Sequence, residues 1–543
     1  MFSKFLKFNA MFVSSLVLSL FFFVFLSGCK NQVKYQVINY KLGRNISTLD
    51  PQSAGSDEST VIKNIFDGLV RIGPNGEVLP AIAAFWESDS DSTFTFHLSK
   101  EAKWSDQKTN VTAYDFVFGI KRAIDPKTKS PFVKEILCIK NSKSANLGEK
   151  RLDDVAITAV DDYTLKIELE YPFKDFPKIC SLSSMMPCCQ NFFETCNGQY
   201  GKNIKTLLTN GPFGITKNWE RGRAINLVKN KNYFRKDERG FSPSIKLSIN
   251  DEFSDNKNTK FDLFASEEID ACFFNPSLST KFEKLGAKIF NFNNKNWGLI
   301  FNCQGTFFSN ENLRKSFISS IDRKYLSSEI EKIRFLSLSD HIVAENITIN
   351  SKKYIDLASN IFQKSKLDPK ELLKLAMKEL KNNSIKEIVF LSPNDEGLNT
   401  IANTLLELFN KNLDTNLNIR SVQEENLNLE INAGNFELAL MPISFKTSND
   451  PMETFDIFKS NSPDNIAMLK NSEFDSLLEA TKKTSDDKIV TAIEYLEKFL
   501  VNHAVFYPVC SSSECFAVNK KIQDLIFNPE NLDVDFTFAK KRR

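Results

Sequence analysis

Residue types that commonly carry catalysis are scarce in this sequence, and none is set out at catalytic spacing. His97, His341 and His503 are its only histidines. They lie far apart, so a multi-histidine metal centre is not expected. Cys180, Cys188, Cys189 and Cys196 crowd one stretch without the C-x2-C spacing of a zinc cluster, and one local disulfide is the chemistry expected there. Cys510 and Cys515 flank a serine-rich turn and could pair across a hairpin. Ten cysteines less Cys29 leave nine, an odd number, so at least one stays a thiol or pairs between molecules. Several fit equally well as small buried apolar residues. No G-x-S-x-G, H-E-x-x-H, Walker or G-x-G-x-x-G motif occurs. The carboxylates at Asp89 and Asp91, and from Asp251 to Asp255, read as solvated surface. Neither an enzyme nor a cofactor is expected.

Cys29 is the exception, because its surroundings specify a reaction. Lys4 and Lys7 precede an apolar run over 11–26, which ends in Leu26-Ser27-Gly28-Cys29. A basic start, an apolar core and small residues at the cut describe a secretory signal. The run is short for a spanning helix, which needs about 20 residues. Cysteine directly after Leu-Ser-Gly resembles a bacterial lipobox, which implies cleavage after Gly28 and a lipid on the Cys29 thiol. Two acyl chains suffice for stable anchoring. Residues 1–28 are then a lipoprotein signal peptide, 29–34 a tether, and the protein sits outside the bacterial cell membrane, held by the lipid. An uncleaved anchor, or a plain signal with a chance cysteine, is the alternative.

The chain has 543 residues, enough for two to four domains. Its 42% apolar and 25% charged residues exclude a disordered or fibrous chain. Lysine plus arginine number 70 against 68 acids, and removing Lys4 and Lys7 with the signal leaves charge balance. A partner bound through bulk charge, nucleic acid above all, is therefore not expected, and Lys540 to Arg543 reads as a solvated tail. The 49 phenylalanines read as core filling.

The elements that must position any site form a mixed α/β pattern. Strands are expected at 35–40, at 93–98 (strict alternation), in two short pieces between Val155 and Leu169, at 224–230, 386–392 and 436–444. Helices are expected at 59–70, capped by Ser59 or Thr60 and stopped by Gly68, at 312–326, at 369–381 with proline in the first turn, and at 397–413. Residues 74–77 read as a turn. The strand–helix–strand rhythm of 386–444 predicts a partly parallel sheet.

Residues 94–126 combine a strand ending in His97-Leu98, a Trp104-Ser105-Asp106 turn, and Thr112-Ala113-Tyr114-Asp115-Phe116 opening a helix. This stretch resembles the signature of the extracellular solute-binding proteins of peptide and nickel ABC importers, oligopeptide-binding lipoproteins in particular. Ser99 stands where arginine is usual and Gln107 where glycine is usual. Further matches follow in family order: Thr48 to Pro51, Ile65 to Leu69, Val160 to Leu165, Asn210 to Phe213, Lys229 to Tyr233, Glu268 to Asp270, Phe301-Asn302, Leu313 to Lys315, Ile321 to Arg323, Asp450-Pro451, Phe474-Asp475 and Tyr507-Pro508. They span nearly the whole chain after the signal.

The resemblance implies an α/β, two-lobed periplasmic-binding-protein-like fold of class II, with an extra domain on the first lobe. Lobe I is placed at 30–78, 209–296 and 505–543, the extra domain at 79–208 and lobe II at 297–504. It further implies a monomer that captures an oligopeptide between the lobes and delivers it to ABC transporter permease subunits. An extended peptide would pair with backbone at Ala54, Gly55 and Ser56 on one side and at Ile443, Ser444, Phe445 and Lys446 on the other. Trp297 and Tyr507 are candidate lining residues, with core packing as the equal alternative. Relatives carry a carboxylate for the peptide's amino terminus three residues before Asp-Pro, where this chain has Thr447, or Lys446 if one residue is inserted. Asp450 or Glu453 could take that role. Otherwise the ligand has no free amine there and is a signalling peptide, metal chelate or sugar oligomer. A secreted enzyme or adhesion lipoprotein is the remaining alternative class.

Overall fold

The computed structural model describes residues 36–42, 46–73, 76–216, 224–235, 244–248, 259–274, 276–345, 347–349, 352–362, 368–381, 385, 388–444, 451–485, 487–528 and 532–542. Cys29, the tether, Phe445, Lys446, Thr447 and Asp450 lie outside these residues.

Local sequence rules account for most elements. Thr93–Leu98 is a strand whose alternation puts Phe94, Phe96 and Leu98 inside. It is central in a four-stranded antiparallel sheet with Ala83–Asp89, Thr164–Glu168 and Ile157–Asp161. The helix Ala113–Ile124 packs behind it. At its start the Asp115 carboxylate accepts from the Thr112 amide at 2.8 Å and the Thr112 hydroxyl at 3.2 Å. Pro369–Leu380 begins on an Asp368 cap, and Glu396–Leu413 on an Asp395 cap.

A mixed eleven-stranded sheet runs through the molecule. From one edge its order is Asn418–Val422, Val389–Pro393, Leu438–Ser444, Lys288–Phe301, Phe506–Val518, Ala271–Phe274, Ile38–Lys41, Ser244–Ser248, Ala224–Lys229 and Phe213–Ile215, with Leu336–Leu338 added beside Phe506–Val518. Val389–Pro393 pairs in parallel with both of its neighbours, as the strand–helix–strand rhythm predicts. Two long antiparallel strands, Lys288–Phe301 and Phe506–Val518, form the middle.

Two large apolar cores lie on either side of that middle. One gathers buried residues from Ile38 to Phe292 and from Phe516 to Ala539, and the other those from Trp297 to Cys510. From Asn291 to Asn296, and from Ser511 to Cys515, the two long strands carry polar side chains that pair across the ladder. Ser513 Oγ donates to Asn293 Oδ1 at 2.6 Å, Ser511 Oγ to Asn296 Oδ1 at 2.5 Å and Cys515 Sγ to Asn291 Oδ1 at 3.0 Å.

Four expectations need correction. The predicted helix at 59–70 is Ser56–Ile65, because backbone from Phe66 turns extended and Val70–Ile72 pairs as a strand with Val78–Pro80. The helix expected at 312–326 is two, Glu311–Ser319 and Arg323–Ile330, since Asp322 caps a new start. Residues 511–514 are not a turn: Cys510 and Cys515 lie on one continuous strand and form no bridge. The local disulfide is also absent. Cys188 lies 3.4 Å from the Arg122 guanidinium, and Cys196 donates to the Phe192 carbonyl at 3.2 Å. Burial pushes the Cys188 thiol up to about 12.

Candidate functional site

The candidate residues of the first core sit on a loop fastened from several directions. Leu49 donates its amide to the Gly201 carbonyl at 2.8 Å. Gly201 has φ +71°, and a Cβ there would stand 2.3 Å from the Asp50 nitrogen, so only glycine fits this approach. Asp50 takes both ends of the Arg122 guanidinium, at 2.6 and 3.2 Å, while Gln52 accepts from Arg122 at 2.8 Å and donates to the Met186 carbonyl at 2.9 Å. Ala54 is buried. Gly55 is the N-cap of the helix Ser56–Ile65, with extended backbone. Glu58 in the first turn accepts from the Ser47 amide and hydroxyl, both at 3.1 Å.

Those of the second core converge on one sheet. Ile443 pairs with Asn296, Ser444 with Lys295 and Pro442 with Trp297. Trp297 pairs on its other side with Cys510, and Tyr507 with Leu299. The backbone at 443–444 therefore enters the candidate segment from the polar waist between the cores. Both aromatics are buried, Trp297 at 2% and Tyr507 at 5% exposure. The Trp297 indole donates to Ser512 Oγ at 3.0 Å. Tyr507 packs edge-on to Phe362 with ring centroids 5.2 Å apart, and the Arg323 guanidinium covers Phe362 at 3.8 Å. In this arrangement the two rings back the sheet rather than face open space.

Three of the short motifs, Ile65 to Leu69, Asn210 to Phe213 and Lys229 to Tyr233, meet in one buried knot. Arg71 donates to Asp67 at 2.6 Å, to Asp535, and to the carbonyls of Lys63 and Phe66. The Tyr233 hydroxyl donates to Asp67 at 2.6 Å, Asn210 exchanges hydrogen bonds with the Asp67 backbone, and Asn230 donates to the Gly211 carbonyl. Burial raises the Asp67 carboxyl even against Arg71. Arg314 likewise donates to carbonyls, those of Phe308, Ser309, His503 and Ala504, with the Glu311 carboxylate 4.0 Å away. These motifs build the scaffold around a site.

Trp104 is fully buried, edge-on to Phe66 at 6.4 Å, with its indole donating to Asp115 at 3.3 Å. Burial lifts the Asp115 carboxyl to about 6 against the pull of those donors. A second buried acid gives no hint of itself in the sequence. Glu497 accepts from the His341 ring at 3.0 Å, the amides of Ile342 and Val343 at 2.6 and 3.0 Å, and the Tyr354 hydroxyl at 2.6 Å. Asn296 donates to the carbonyls of the same 341–343 turn. The group fastens that turn to the waist strand, and its hydrogen bonds are filled from within. Among the described residues no three His, Cys, Asp or Glu side chains gather as metal ligands, and no helix is long and apolar enough to cross a membrane.

Comparison with known proteins places this arrangement. Residues 77–465 match the family model described as bacterial extracellular solute-binding proteins, family 5, middle. The dipeptide-binding protein DppE of Bacillus subtilis is 25% identical over 502 residues, covering 88% of this chain and 87% of that protein. The substrate-binding domain of an oligopeptide ABC transporter from Bacillus anthracis superposes with a TM-score of 0.70 at 22% identity, over 94% of this chain and 99% of that one. Haemophilus influenzae OppA, in complex with the peptide RPPGFSPFR, gives 0.72 at 20% identity, over 94% and 99%. The two cores joined by paired strands are thus the two-lobed solute-binding fold.

Proposed function

The chain belongs to the bacterial extracellular solute-binding proteins, family 5, and on that premise we propose that it is a lipid-anchored receptor that captures oligopeptides between its lobes and delivers them to an ABC transporter permease. Likeness along nearly the full length to proteins named for dipeptide and oligopeptide binding is the observation that carries this reading. Lobe I is assigned to 30–78, 209–296 and 505–543, the extra domain to 79–208 and lobe II to 297–504. The break between the cores at 292–297 supports the limit near 296, whereas at the return crossing residues 505–510 pack with the second core and the change of core falls at 510–516. The extra domain shares one continuous core with lobe I. Cys29 is the assigned lipid site, and the membrane contact is made through that lipid.

Peptide backbone is assigned to pair with Ala54, Gly55 and Ser56 across from Ile443, Ser444, Phe445 and Lys446, which reads the main chain and tolerates many side chains. Trp297 and Tyr507 act from behind the sheet. A specialised ligand on the same scaffold is the second reading, favoured by Thr447 at the position where relatives carry a carboxylate. Two acids flanking that segment are already engaged: Glu437 by the amides of Thr306, Phe307 and Phe308, and Asp456 by Lys482 and Lys143.

The test is the melting temperature of residues 30–543 against di- to octapeptides with free and with acetylated amino termini. A ligand at about 100 times its Kd adds about 2.7 kcal/mol to the folded state. A shift from free-amine peptides is expected, with Asp450→Asn or Glu453→Gln abolishing it at the substitute acid. A shift from acetylated peptides alone favours the specialised ligand. No shift from either set overturns the general peptide reading.

A further inference from the structure

Two ion pairs join the cores at a distance from the paired strands. Lys143 Nζ lies 3.0 Å from Asp456 Oδ2, across 313 positions of sequence, and Lys134 Nζ lies 2.7 Å from Asp464 Oδ2. Both have the same polarity, with lysines on the N-terminal core and carboxylates on the C-terminal one. Each partner stands on a firm base. Lys134 opens the single turn Lys134–Ile136, whose Ile136 is fully buried, and Lys143 lies in the short helix Ser142–Asn146 beside buried Ser142. Asp456 ends the helix Pro451–Asp456 beside fully buried Phe455, and Asp464 sits just before buried Ile466.

Asp456 is also set up to receive its partner. Lys482 holds it at 2.7 Å from within the same core, and Glu479 in turn engages Lys482 at 3.9 Å and Lys459 at 2.5 Å. Burial alone would raise the Asp456 carboxyl, yet Lys482 and Lys143 hold it below the usual range. Lys482 thus positions the carboxylate from within its own core, and Lys143 completes the pairing from the other. Its helix begins at Pro451, five positions in sequence after Lys446, the last residue assigned above to the ligand backbone.

We infer that Lys143–Asp456 and Lys134–Asp464 form an electrostatic latch that holds the two lobes closed, and that the helix Pro451–Asp456 links the latch to the ligand segment, a step resting on the two-lobe reading above. The pairs are partly exposed, with side-chain exposures of 45% and 26% for the first and 51% and 46% for the second. They are therefore screened by salt and individually weak. Such pairs set a balance between open and closed forms, which a ligand then tips.

The test needs no ligand, so its failure is distinct from failure of the peptide reading. Small-angle X-ray scattering of residues 30–543 gives the radius of gyration from about 0.01 M to about 1 M NaCl, as the Debye length falls from ~30 Å to ~3 Å. Wild type is expected to open as salt rises. Lys134→Glu with Lys143→Glu is expected to be open at low salt, with the closed-to-open ratio down roughly tenfold. Lys134→Ala with Lys143→Ala is expected to give the same direction if the reversal does not fold. Lys134→Asp alone is expected to lower closure at low salt, and the exchange Lys134→Asp with Asp464→Lys is expected to recover it. A radius of gyration unchanged by salt and by both lysine variants would overturn the latch, as would an exchange that stays open.

Discussion

Arg122 and Asp50, 72 positions apart, meet through two hydrogen bonds of 2.6 and 3.2 Å, with the Phe193 ring 4.0 Å from the guanidinium carbon. The pair ties the helix Ala113–Ile124 to the loop that leads into Gly55. A cation buried on an aromatic face and forked onto a carboxylate is rigid in a way that a lysine cannot reproduce. The position of the candidate backbone at 54–56 thus depends on a residue in a different part of the chain.

Replacing Arg122 leaves the Asp50 carboxyl enclosed and without its main partner. Arg122→Ala is expected to cost about 3 kcal/mol or more. Arg122→Lys is expected to recover only part of the loss, because a single ammonium cannot match both carboxylate oxygens. Urea midpoints of the three proteins measure this. Equal stability of the lysine variant and wild type would contradict the fork as the source of the effect.

The Asp115 carboxyl stands at about 6 in the folded chain against an ordinary value of 3.8. Between those values the folded state binds the proton more tightly than the unfolded state does. Stability from this group is therefore present below the unfolded value and lost as pH rises through the folded one. The loss amounts to roughly 3 kcal/mol between about pH 4 and pH 7. Asp115→Asn keeps an oxygen for Thr112 and Trp104 but does not titrate, so its urea midpoint is expected to lack this fall with pH. An identical pH slope in variant and wild type would remove Asp115 as the cause.

Strands and helices with a local signal are legible in the amino-acid order itself. Thr93–Leu98 shows its alternation, Pro369–Leu380 its cap and proline, and 389–444 its parallel rhythm. The family matches are legible too, but what they do is not. Ile65 to Leu69, Asn210 to Phe213 and Lys229 to Tyr233 make sense only once Asp67, Asn210 and Tyr233 meet. Glu497 lies in Ile489–Asn502 among apolar residues, and a lone acid there reads as the solvated side of a helix until the 341–343 turn folds over it. Asp322 carries a readable cap signal that the helical spacing of its neighbours outweighs. Cys510 and Cys515 read as a bridged hairpin because three serines suggest a turn. Those serines instead pair with the asparagines and the tryptophan of the facing strand.

That facing strand breaks register at Trp297 and Gly298, where the ladder to Phe506–Val518 skips from Cys510 to Pro508. A Cβ on Gly298 would stand 2.2 Å from the Phe506 ring and 2.8 Å from the Tyr507 carbonyl, so the irregularity exists only because that side chain is absent. Phe506 is fully buried and meets Phe458 at 5.9 Å, which leaves its ring no room to retreat. Gly298→Ala must therefore push the two long strands apart, at a cost of about 1–3 kcal/mol for the overpacking. Pairing Gly298→Ala with Phe506→Leu is expected to recover part of it, since the shorter side chain vacates the space the methyl needs, less the cost of the lost ring. Urea midpoints of the two single variants and the double variant close the thermodynamic cycle. A double variant whose loss equals the sum of the single losses would show that the methyl does not meet the ring, and would place the constraint on the Tyr507 backbone instead.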